Sequence, residues 1–269
     1  MTLLLHLSDT HFGTEQMPVL QALQQLVRQQ PPEVVVLSGD ITQRARRAQF
    51  RSARTFMASL GSAPALTLPG NHDIPLFNVF ARLFDPYGGY RQAFGADLAP
   101  LVSTDHFLVI GVNTTRWWRH THGVVSPAQV AAVVARLRQA KAGQLRVVVV
   151  HQPVHVLQSS DVKDRLRGHA LAIESWAEAG ADAVLGGHIH LPYVCALHES
   201  MPGLARRLWC VQAGTAISSR VRGRIPNSVN MLRWSGAQAA ALFRAEQWNF
   251  DAGLQRFVLM QCTQLDPQR

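Results

Sequence analysis

The chain has 269 residues, 47% of them hydrophobic, which is enough for one large α/β core and does not require two domains. Its formal net charge of +9 comes almost wholly from arginine, because Lys141 and Lys163 are the only lysines. Such a basic chain attracts anions, namely nucleotides, nucleic acid, phospholipid or phosphorylated metabolites, although a general arginine bias explains the charge equally well.

The composition also argues against a secreted or membrane-spanning protein. Cys195, Cys210 and Cys262 are odd in number and lack a Cys-x-x-Cys spacing, which is typical of reduced thiols in the cytoplasm. Residues 1–7 are too short for the core of a signal peptide, and no stretch approaches ~18 consecutive apolar residues. We therefore expect a soluble cytoplasmic protein without a transmembrane segment, and no feature of the sequence fixes its oligomeric state.

Short apolar runs alternate with amphipathic stretches over residues 1–190, a pattern typical of α/β proteins with a parallel sheet. Buried strands are predicted at residues 3–7, 34–37, 65–68, 107–112, 147–150 and 183–185. Helices are predicted at residues 17–29, about 43–60 and 169–179. Another helix begins at Ser126, with a capping box and with Pro127 at its first position.

Two stretches do not follow this alternation. Residues 74–98 are irregular and aromatic, so we expect a segment that covers the edge of the sheet or lines a substrate pocket. Residues 192–262 alternate as antiparallel strands do, with strands predicted at 208–211, 228–232 and 257–260. The sequence favours one domain over residues 1–269, with metal motifs at 9–190 and a mainly β part at 191–269.

Five polar clusters follow the apolar runs in order: Asp9-Thr10-His11, Gly39-Asp40, Gly70-Asn71-His72-Asp73, His151 and Gly187-His188-Ile189-His190. Because open α/β sheets bind ligands at the carboxyl ends of their strands, we expect these clusters to form one site at that edge of the sheet. Their oxygen and imidazole donors, with no thiolate, suit Mn, Fe or Zn. The seven donors suit two metal ions that share a carboxylate, roughly 3.5–4 Å apart. They are Asp9, His11, Asp40, Asn71, His151, His188 and His190.

Taken in this order, the motifs resemble the calcineurin-like metallophosphoesterase superfamily over residues 9–190. The resemblance implies an α/β fold of the four-layer α/β/β/α sandwich type. It also implies two metal sites, with Asp9, His11 and His190 at the first, Asn71, His151 and His188 at the second, and Asp40 bridging both. His72 matches the position that contacts the substrate phosphate and protonates the leaving group, and Asp73 follows it where the family has Asp or Glu.

The motifs also narrow the class of substrate. Ser/Thr protein phosphatases extend the second motif to Gly-Asp-x-x-Asp-Arg-Gly, whereas Gln43 and Ala45 depart from that pattern here. The His-Leu-Ser-Asp-Thr-His opening and the Gly-Asp-Ile-Thr-Gln motif are similar to bacterial class III cyclic nucleotide phosphodiesterases. That similarity implies hydrolysis of 3′,5′-cyclic nucleotides or a related small phosphodiester, by in-line attack of a metal-bridging hydroxide. His72 and Asp40 would be its catalytic residues.

Other functions stay open from the sequence. One is a pyrophosphatase acting on a nucleotide-sugar lipid precursor such as UDP-diacylglucosamine, which the aromatic residues 74–98 favour. A nuclease agrees with the basic charge, although no added nucleic-acid module is visible. A catalytically inactive scaffold is a further alternative, although every expected metal ligand is present.

Arginine-rich stretches supply the candidate substrate-binding residues. The planar guanidinium group of arginine binds phosphate well, so the candidates are Arg44, Arg220 and Arg222 together with Asn227. A position on the solvated surface is an alternative explanation for any one of them. The interleaved Arg116-Trp117-Trp118-Arg119 could stack a base, but such residues more often pack on a neighbouring loop.

Overall fold

The computed structural model describes residues 1–236 and 242–268. Its helices are α1 (Met17–Gln29), α2 (Arg47–Ser59), α3 (Val79–Phe84), α4 (Gly88–Phe94), α5 (Pro127–Leu137), α6 (His169–Glu178) and α7 (Leu197–Ser200). Its strands are β1 (Thr2–Leu7), β2 (Val34–Leu37), β3 (Ala65–Thr67), β4 (Leu101–Ser103), β5 (Phe107–Gly111), β6 (Leu145–Val149), β7 (Ala183–Gly186), β8 (Tyr193–Ala196), β9 (Trp209–Gln212), β10 (Ser228–Trp234), β11 (Phe243–Asp251) and β12 (Arg256–Leu265). Short 3-10 helices span Asn71–Asp73 and Ser159–Asp164.

The strands form two six-stranded sheets, in the orders β12-β11-β10-β1-β2-β3 and β4-β5-β6-β7-β9-β8. In the first sheet β1, β2 and β3 are parallel, while β10 to β12 add an antiparallel ribbon beside β1. In the second sheet β5, β6, β7 and β9 are parallel, and β4 and β8 close its two edges as antiparallel strands. Both sheets are therefore mixed: the parallel strands form one end of the first sheet and the middle of the second.

The two sheets pack face to face and helices cover their outer faces. Leu4 and Val36 of the first sheet share one buried cluster with Val109 and Val149 of the second. Helices α1, α2 and α4 pack on the outer face of the first sheet, and α5 to α7 pack on that of the second. The fold class predicted from the sequence, a four-layer α/β/β/α sandwich, is confirmed. None of the helices in the described residues has the length and hydropathy needed to traverse a bilayer.

The predicted helix at about 43–60 begins four residues late, at Arg47. The reason is local, because Ala45 has a left-handed backbone with φ of 52° and its N–H donates to Thr42 Oγ1. The expectation of irregular chain at residues 74–98 was wrong in part, since α3 and α4 lie there. Helix α4 is anchored by buried Tyr90, whose hydroxyl donates to the Thr67 carbonyl at 2.7 Å.

Trp176 of α6 is fully buried between that helix and the second sheet. We expect Trp176→Ala to lower the free energy of unfolding by about 3–5 kcal/mol, because it removes apolar contacts and leaves a cavity. Urea unfolding followed by circular dichroism measures the change. Trp118, which is 60% exposed, provides the matched control, and Trp118→Ala should change stability by less than ~0.5 kcal/mol. Equal losses in the two variants would contradict this packing.

Candidate metal centre

The proposed metal ligands lie on loops that leave the carboxyl ends of parallel strands in both sheets. Asp9 and His11 follow β1, and Asp40 follows β2. Asn71 follows β3, while His151 follows β6 and both His188 and His190 follow β7. Hydrogen bonds join the loops across the two sheets: His151 Nδ1 donates to the Ser38 carbonyl at 2.9 Å, and the His188 N–H donates to Asp9 Oδ2 at 3.0 Å.

The side chains gather into two neighbouring groups. The donor atoms of Asp9, His11 and His190 lie within 4.8 Å of one another, and so do those of Asp40, His151 and His188. Asn71 Oδ1 lies 3.2 Å from His151 Nε2, which places it in the second group. The structure thus brings together all seven residues predicted as ligands: Asp9, His11, Asp40, Asn71, His151, His188 and His190.

The carboxylate of Asp40 lies between the two groups. Its Oδ1 is 3.3 Å from His151 Nε2, and its Oδ2 is 3.9 Å from His11 Nε2. Each oxygen therefore faces a different set of imidazoles, which is the arrangement required of a carboxylate shared by two cations. The side chain is 2% exposed, so little water reaches it.

The hydrogen bonds of the imidazoles fit a cation as well. His151 and His190 each use Nδ1 to donate to a backbone carbonyl, of Ser38 and Arg220, which leaves the Nε2 lone pair toward the site. The Nε2 atoms of His11 and His190 approach to 3.2 Å. Asp9 Oδ1 is buried without a well-directed hydrogen-bond donor in the described chain. Converging lone pairs and an unsatisfied carboxylate oxygen are what a bound cation would satisfy.

In the metal-free chain ionised carboxylates lie beside two neutral imidazoles, of His11 and His188, and beside His151, whose proton a bound metal ion would displace. Burial lowers the pKa of His11 to about 3 and the pKa of His188 to about 4, so both rings are neutral at pH 7. Burial also opposes protonation of His151, but the adjacent Asp40 carboxylate outweighs it and raises the pKa of His151 to about 9. For Asp40 itself, burial acts to raise the pKa, yet His151 and His72 hold it well below its usual range.

The backbone at these ligands is unusual. Positive φ angles between 40° and 73° occur at five non-glycine residues of the motifs, a region that L-residues rarely occupy: Asp9, His11, Asp40, His188 and His190. Such strain concentrates at functional sites, where the surrounding structure enforces it.

The last motif begins with glycine because two loops approach each other closely at that position. A Cβ at Gly187 would collide with the Ser8 side chain and lie 2.7 Å from Asp9 Oδ2. Glycine at this position lets the loops after β1 and β7 come together. The same holds at Gly70, where a Cβ would overlap the backbone of Asp40.

Asp73 has a positioning role that sequence reasoning missed. Its Oδ1 accepts from the N–H and the hydroxyl of Thr42, both at 2.8 Å, and its Oδ2 accepts from the N–H groups of Ile41 and Gly70. The carboxylate therefore ties the Asp40 loop to the Asn71 loop. Burial, reinforced by the charge of Asp40, raises the pKa of Asp73 to about 6. An aspartate just after Gly-Asn-His was the available signal, since short carboxylates cap neighbouring N–H groups.

A cavity of about 420 Å³ opens onto the site, and its wall includes His72, Arg220 and Arg222. Arg222 is engaged there, because its Nη1 lies 2.9 Å from Asp161 Oδ2. Three lining residues had no signal in the sequence, namely Thr121, Asp161 and Asp164.

Two of the predicted substrate-binding residues are not among those that line this cavity. Arg44 lies in a neighbouring groove, with its guanidinium 5.3 Å from the centre of the Phe77 ring. Asn227 is buried, and its amide donates to the carbonyls of Thr215 and Ser218.

Two mixed sheets flanked by helices, with a paired cluster of carboxylates and imidazoles at their strand ends, define the metallophosphoesterases. The chain belongs to the calcineurin-like phosphoesterase family, whose sequence model matches residues 2–192. Members of the family bind two metal ions, and the groups described above are the candidate ligands in this chain. No curated protein sequence matches the chain.

Solved structures share the fold at low sequence identity. A purple acid phosphatase from yellow lupin (Lupinus luteus) seeds superposes with a TM-score of 0.71 and 10% identity, over 98% of this chain and 53% of its own. This chain therefore spans about half the length of the lupin enzyme. A dimetal phosphatase from Danio rerio gives 0.63 and 14% identity over 99% of both chains. Vps29 from Chaetomium thermophilum gives 0.52 and 10% identity over 100% of both.

His6, on β1 beneath the site, gives a pH dependence of stability. It is fully buried, its Nε2 is 2.9 Å from Ser38 Oγ, and burial lowers its pKa from 6.5 to about 3. As the pH falls, the His6 ring is protonated in the unfolded chain before it is protonated in the folded one. The stability that neutral His6 contributes is therefore fully present above about pH 6.5. It is lost as the pH falls toward about 3.

Between about pH 8 and about pH 5 the metal-free protein should therefore lose about 2 kcal/mol more stability than His6→Gln. Urea unfolding in the presence of a chelator, repeated across this range, measures the difference. A His106→Gln variant, which changes a half-exposed histidine outside the site, is the control and should follow the wild type. Parallel profiles for wild type and His6→Gln would contradict the prediction.

Proposed function

We propose that the chain is a dinuclear-metal-dependent phosphodiesterase that acts on 3′,5′-cyclic nucleotides or a related small phosphodiester. The observation that carries the proposal is the position of Asp40, whose two carboxylate oxygens face two separate groups of imidazoles. Asp9, His11 and His190 would hold one ion, Asn71, His151 and His188 the other, with Asp40 between them. When bound, the two ions supply Lewis acidity, which lowers the pKa of water and neutralises charge on the phosphate.

The contacts of His72 support a role for it at the leaving group. Its N–H donates to Asp40 Oδ1 at 2.8 Å, and its Nδ1 donates to the Gln43 carbonyl at 3.1 Å, which fixes the ring. Because a carbonyl only accepts, Nδ1 carries the hydrogen and Nε2 is left for the substrate. The ring lines the cavity and meets the His11 ring edge-on, with centroids 4.8 Å apart. A protonated His72 could therefore give its Nε2 proton to a departing alkoxide.

The charge around the cavity supports a diester over a monoester. Asp161 and Asp164 line its wall together with the proposed metal ligands, and Arg222 is neutralised by its ion pair with Asp161. A phosphomonoester carries close to two negative charges at pH 7, since its second pKa is about 6, while a diester carries only one. Since Asp161 and Arg222 cancel each other, the carboxylate of Asp164 is, among the described residues of this wall, the one left without an arginine partner, and it disfavours the more highly charged substrate.

A second candidate is a pyrophosphatase that acts on a nucleotide-sugar lipid precursor such as UDP-diacylglucosamine. It is favoured by a groove of about 820 Å³ whose wall includes Arg44, Leu76 and Phe77. These residues follow the Asp40 and His72 motifs directly in the chain. An amphipathic substrate could place its phosphates at the ions and an apolar tail in this groove.

The first test combines metal content with a substrate screen. Mn-loaded protein should hold about two ions per chain and hydrolyse diesters in preference to aryl monoesters. Asp40→Asn should retain one ion or fewer, by elemental analysis, and lose activity by at least about a hundredfold. The matched control is Asp182→Asn, because Asp182 is equally buried but lies at the opposite end of β7.

The screen contains cyclic nucleotides, linear diesters, aryl monoesters and nucleotide-diphosphate lipids. A preference for monoesters would contradict the diesterase, and a preference for the lipid would favour the pyrophosphatase. Content well below two ions, with no hydrolysis of any substrate, would favour an inactive scaffold.

His72→Asn tests the role of the general acid. On a diester with an alkoxide leaving group we expect kcat to fall by about 10²–10⁴-fold, because the alkoxide needs a proton. On an aryl diester, whose phenolate leaves without one, the loss should be much smaller. Steady-state kinetics on both substrates gives the comparison, and metal content confirms that the ions are kept. Equal losses on the two substrates would assign His72 to phosphate binding alone.

A further inference from the structure

Helix α3 and Phe77, two residues before it, expose an unusual amount of apolar surface. The exposed fractions are 77% for Phe77, 60% for Val79, 78% for Phe80, 51% for Leu83 and 81% for Phe84. No residue of α3 is buried, although four of its six side chains are large and apolar. The rings of Phe80 and Phe84 are nearly parallel, with centroids 6.5 Å apart, so they form one continuous patch. Contiguous apolar surface of this kind marks an interaction site.

A loop joined to α3 by a hydrogen bond exposes two further aromatic side chains. Trp117 and Trp118 are 36% and 60% exposed, and their rings meet edge-on with centroids 5.5 Å apart. Arg82 of α3 fixes the loop beside the helix, since its Nη1 donates to the Pro75 carbonyl and its Nη2 to the Arg119 carbonyl. We call the resulting surface the aromatic face; it consists of Phe77, Val79, Phe80, Leu83, Phe84, Trp117 and Trp118.

Arginines lie next to the aromatic face: Arg44, Arg46 and Arg47 share a groove with Phe77, and Arg51 and Arg54 continue along α2. Exposed guanidinium groups occur along α2 and the loop before it, at Arg44, Arg46, Arg47, Arg51 and Arg54. Among the described residues none of these five forms a salt bridge, whereas Asp85, the acidic residue of the groove between them, is paired with Arg91. Arg44 also lies 5.3 Å from the Phe77 ring, so the charged and apolar parts are in contact. The surface is therefore apolar at its centre and positive at its edge.

We propose that the aromatic face and its five flanking arginines dock on an anionic phospholipid bilayer. Exposed aromatic and aliphatic side chains insert at the level of the headgroups, and tryptophan favours that boundary. Arginines beside them bind lipid phosphates, and the net charge of +9 adds a long-range attraction. An anionic bilayer presents negative charge all around the inserted side chains, which fits a basic border. A protein partner would present negative charge only opposite particular arginines, so we favour the bilayer.

The position of the face beside the site gives docking a consequence. His120 follows the tryptophan loop directly, and its ring centroid lies 6.5 Å from that of His72. The cavity at the candidate metal centre therefore opens next to the bilayer when the face is docked. Docking itself requires no hydrolysis, so the docking proposal can be tested independently of the proposed function.

The test is co-sedimentation of the full chain with vesicles of phosphatidylcholine, with and without phosphatidylglycerol, at low and high salt. We expect binding to the anionic vesicles that weakens in high salt. The variant Phe77→Ser/Phe80→Ser/Phe84→Ser should bind them on the order of a hundredfold more weakly, because each serine removes apolar area that would be buried in the bilayer. Its matched control is Leu254→Ser/Leu259→Ser/Met260→Ser, which replaces residues with exposed fractions of 56%, 48% and 67% elsewhere.

The basic border is tested in the same way. Arg46→Gln/Arg47→Gln/Arg51→Gln should weaken anionic vesicle binding by about fivefold for each arginine removed. Arg138→Gln/Arg167→Gln/Arg256→Gln, which removes the same charge from exposed arginines outside the face, is the control and should weaken binding much less. All substituted residues are exposed, so unfolding temperatures should not change.

Three results would overturn the proposal. One is the absence of wild-type binding to anionic vesicles. Another is binding that falls equally in the face variants and in their controls. The third is self-association of the protein without lipid, seen by analytical ultracentrifugation, that the phenylalanine variant abolishes while that variant still binds vesicles as the wild type does. The face would then be a protein-binding surface.

Discussion

The candidate centre depends on one shared carboxylate. Asp40 is almost fully buried, and its two oxygens face imidazoles that arrive from different sheets: His11 from the loop after β1 and His151 from the loop after β6. The distance between these imidazoles is therefore set by the packing of one sheet on the other, through the cluster that contains Leu4, Val36 and Val149. The hydrophobic core between the sheets, which is far from any chemistry, fixes the spacing of the proposed ligands.

The loops must also turn sharply to bring their side chains together. Left-handed backbone at residues such as Asp9, Asp40 and His188 costs on the order of 1–3 kcal/mol each. It persists because hydrogen bonds over-determine the loops. Asp73 alone accepts four of them, from two loops, and the N–H of Asp9 donates to the Gly39 carbonyl at 3.0 Å. The strain is thus offset by contacts that lie beneath the ligands and leave their outward atoms free.

Much of the architecture could be predicted from the sequence, because apolar runs reveal buried strands and the polar clusters come directly after them. The bounds of α1 and the capping box of α5 follow from apolar spacing and local capping. Helix α3 could not be predicted, since periodicity marks a helix only where one face is buried, and α3 buries none. The roles of Asp73 and Asp161 depend on partners far away in the chain, at Thr42 and Arg222, which spacing does not show.

The arginines best suited by composition to hold phosphate are occupied with other contacts. Arg222 holds Asp161 and the Ile189 carbonyl, and so positions the loop between His188 and His190. Arg220 donates to Gln43 Oε1 at 3.0 Å, while its own carbonyl accepts from His190. This segment therefore orients the ligand loops, and within the described chain only Arg222 of the two arginines is neutralised by an ion pair, because the Gln43 side chain is uncharged. Under the proposed function, the charge of a bound phosphate would be met by the metal ions, with His72 and Arg220 beside them in the wall of the cavity.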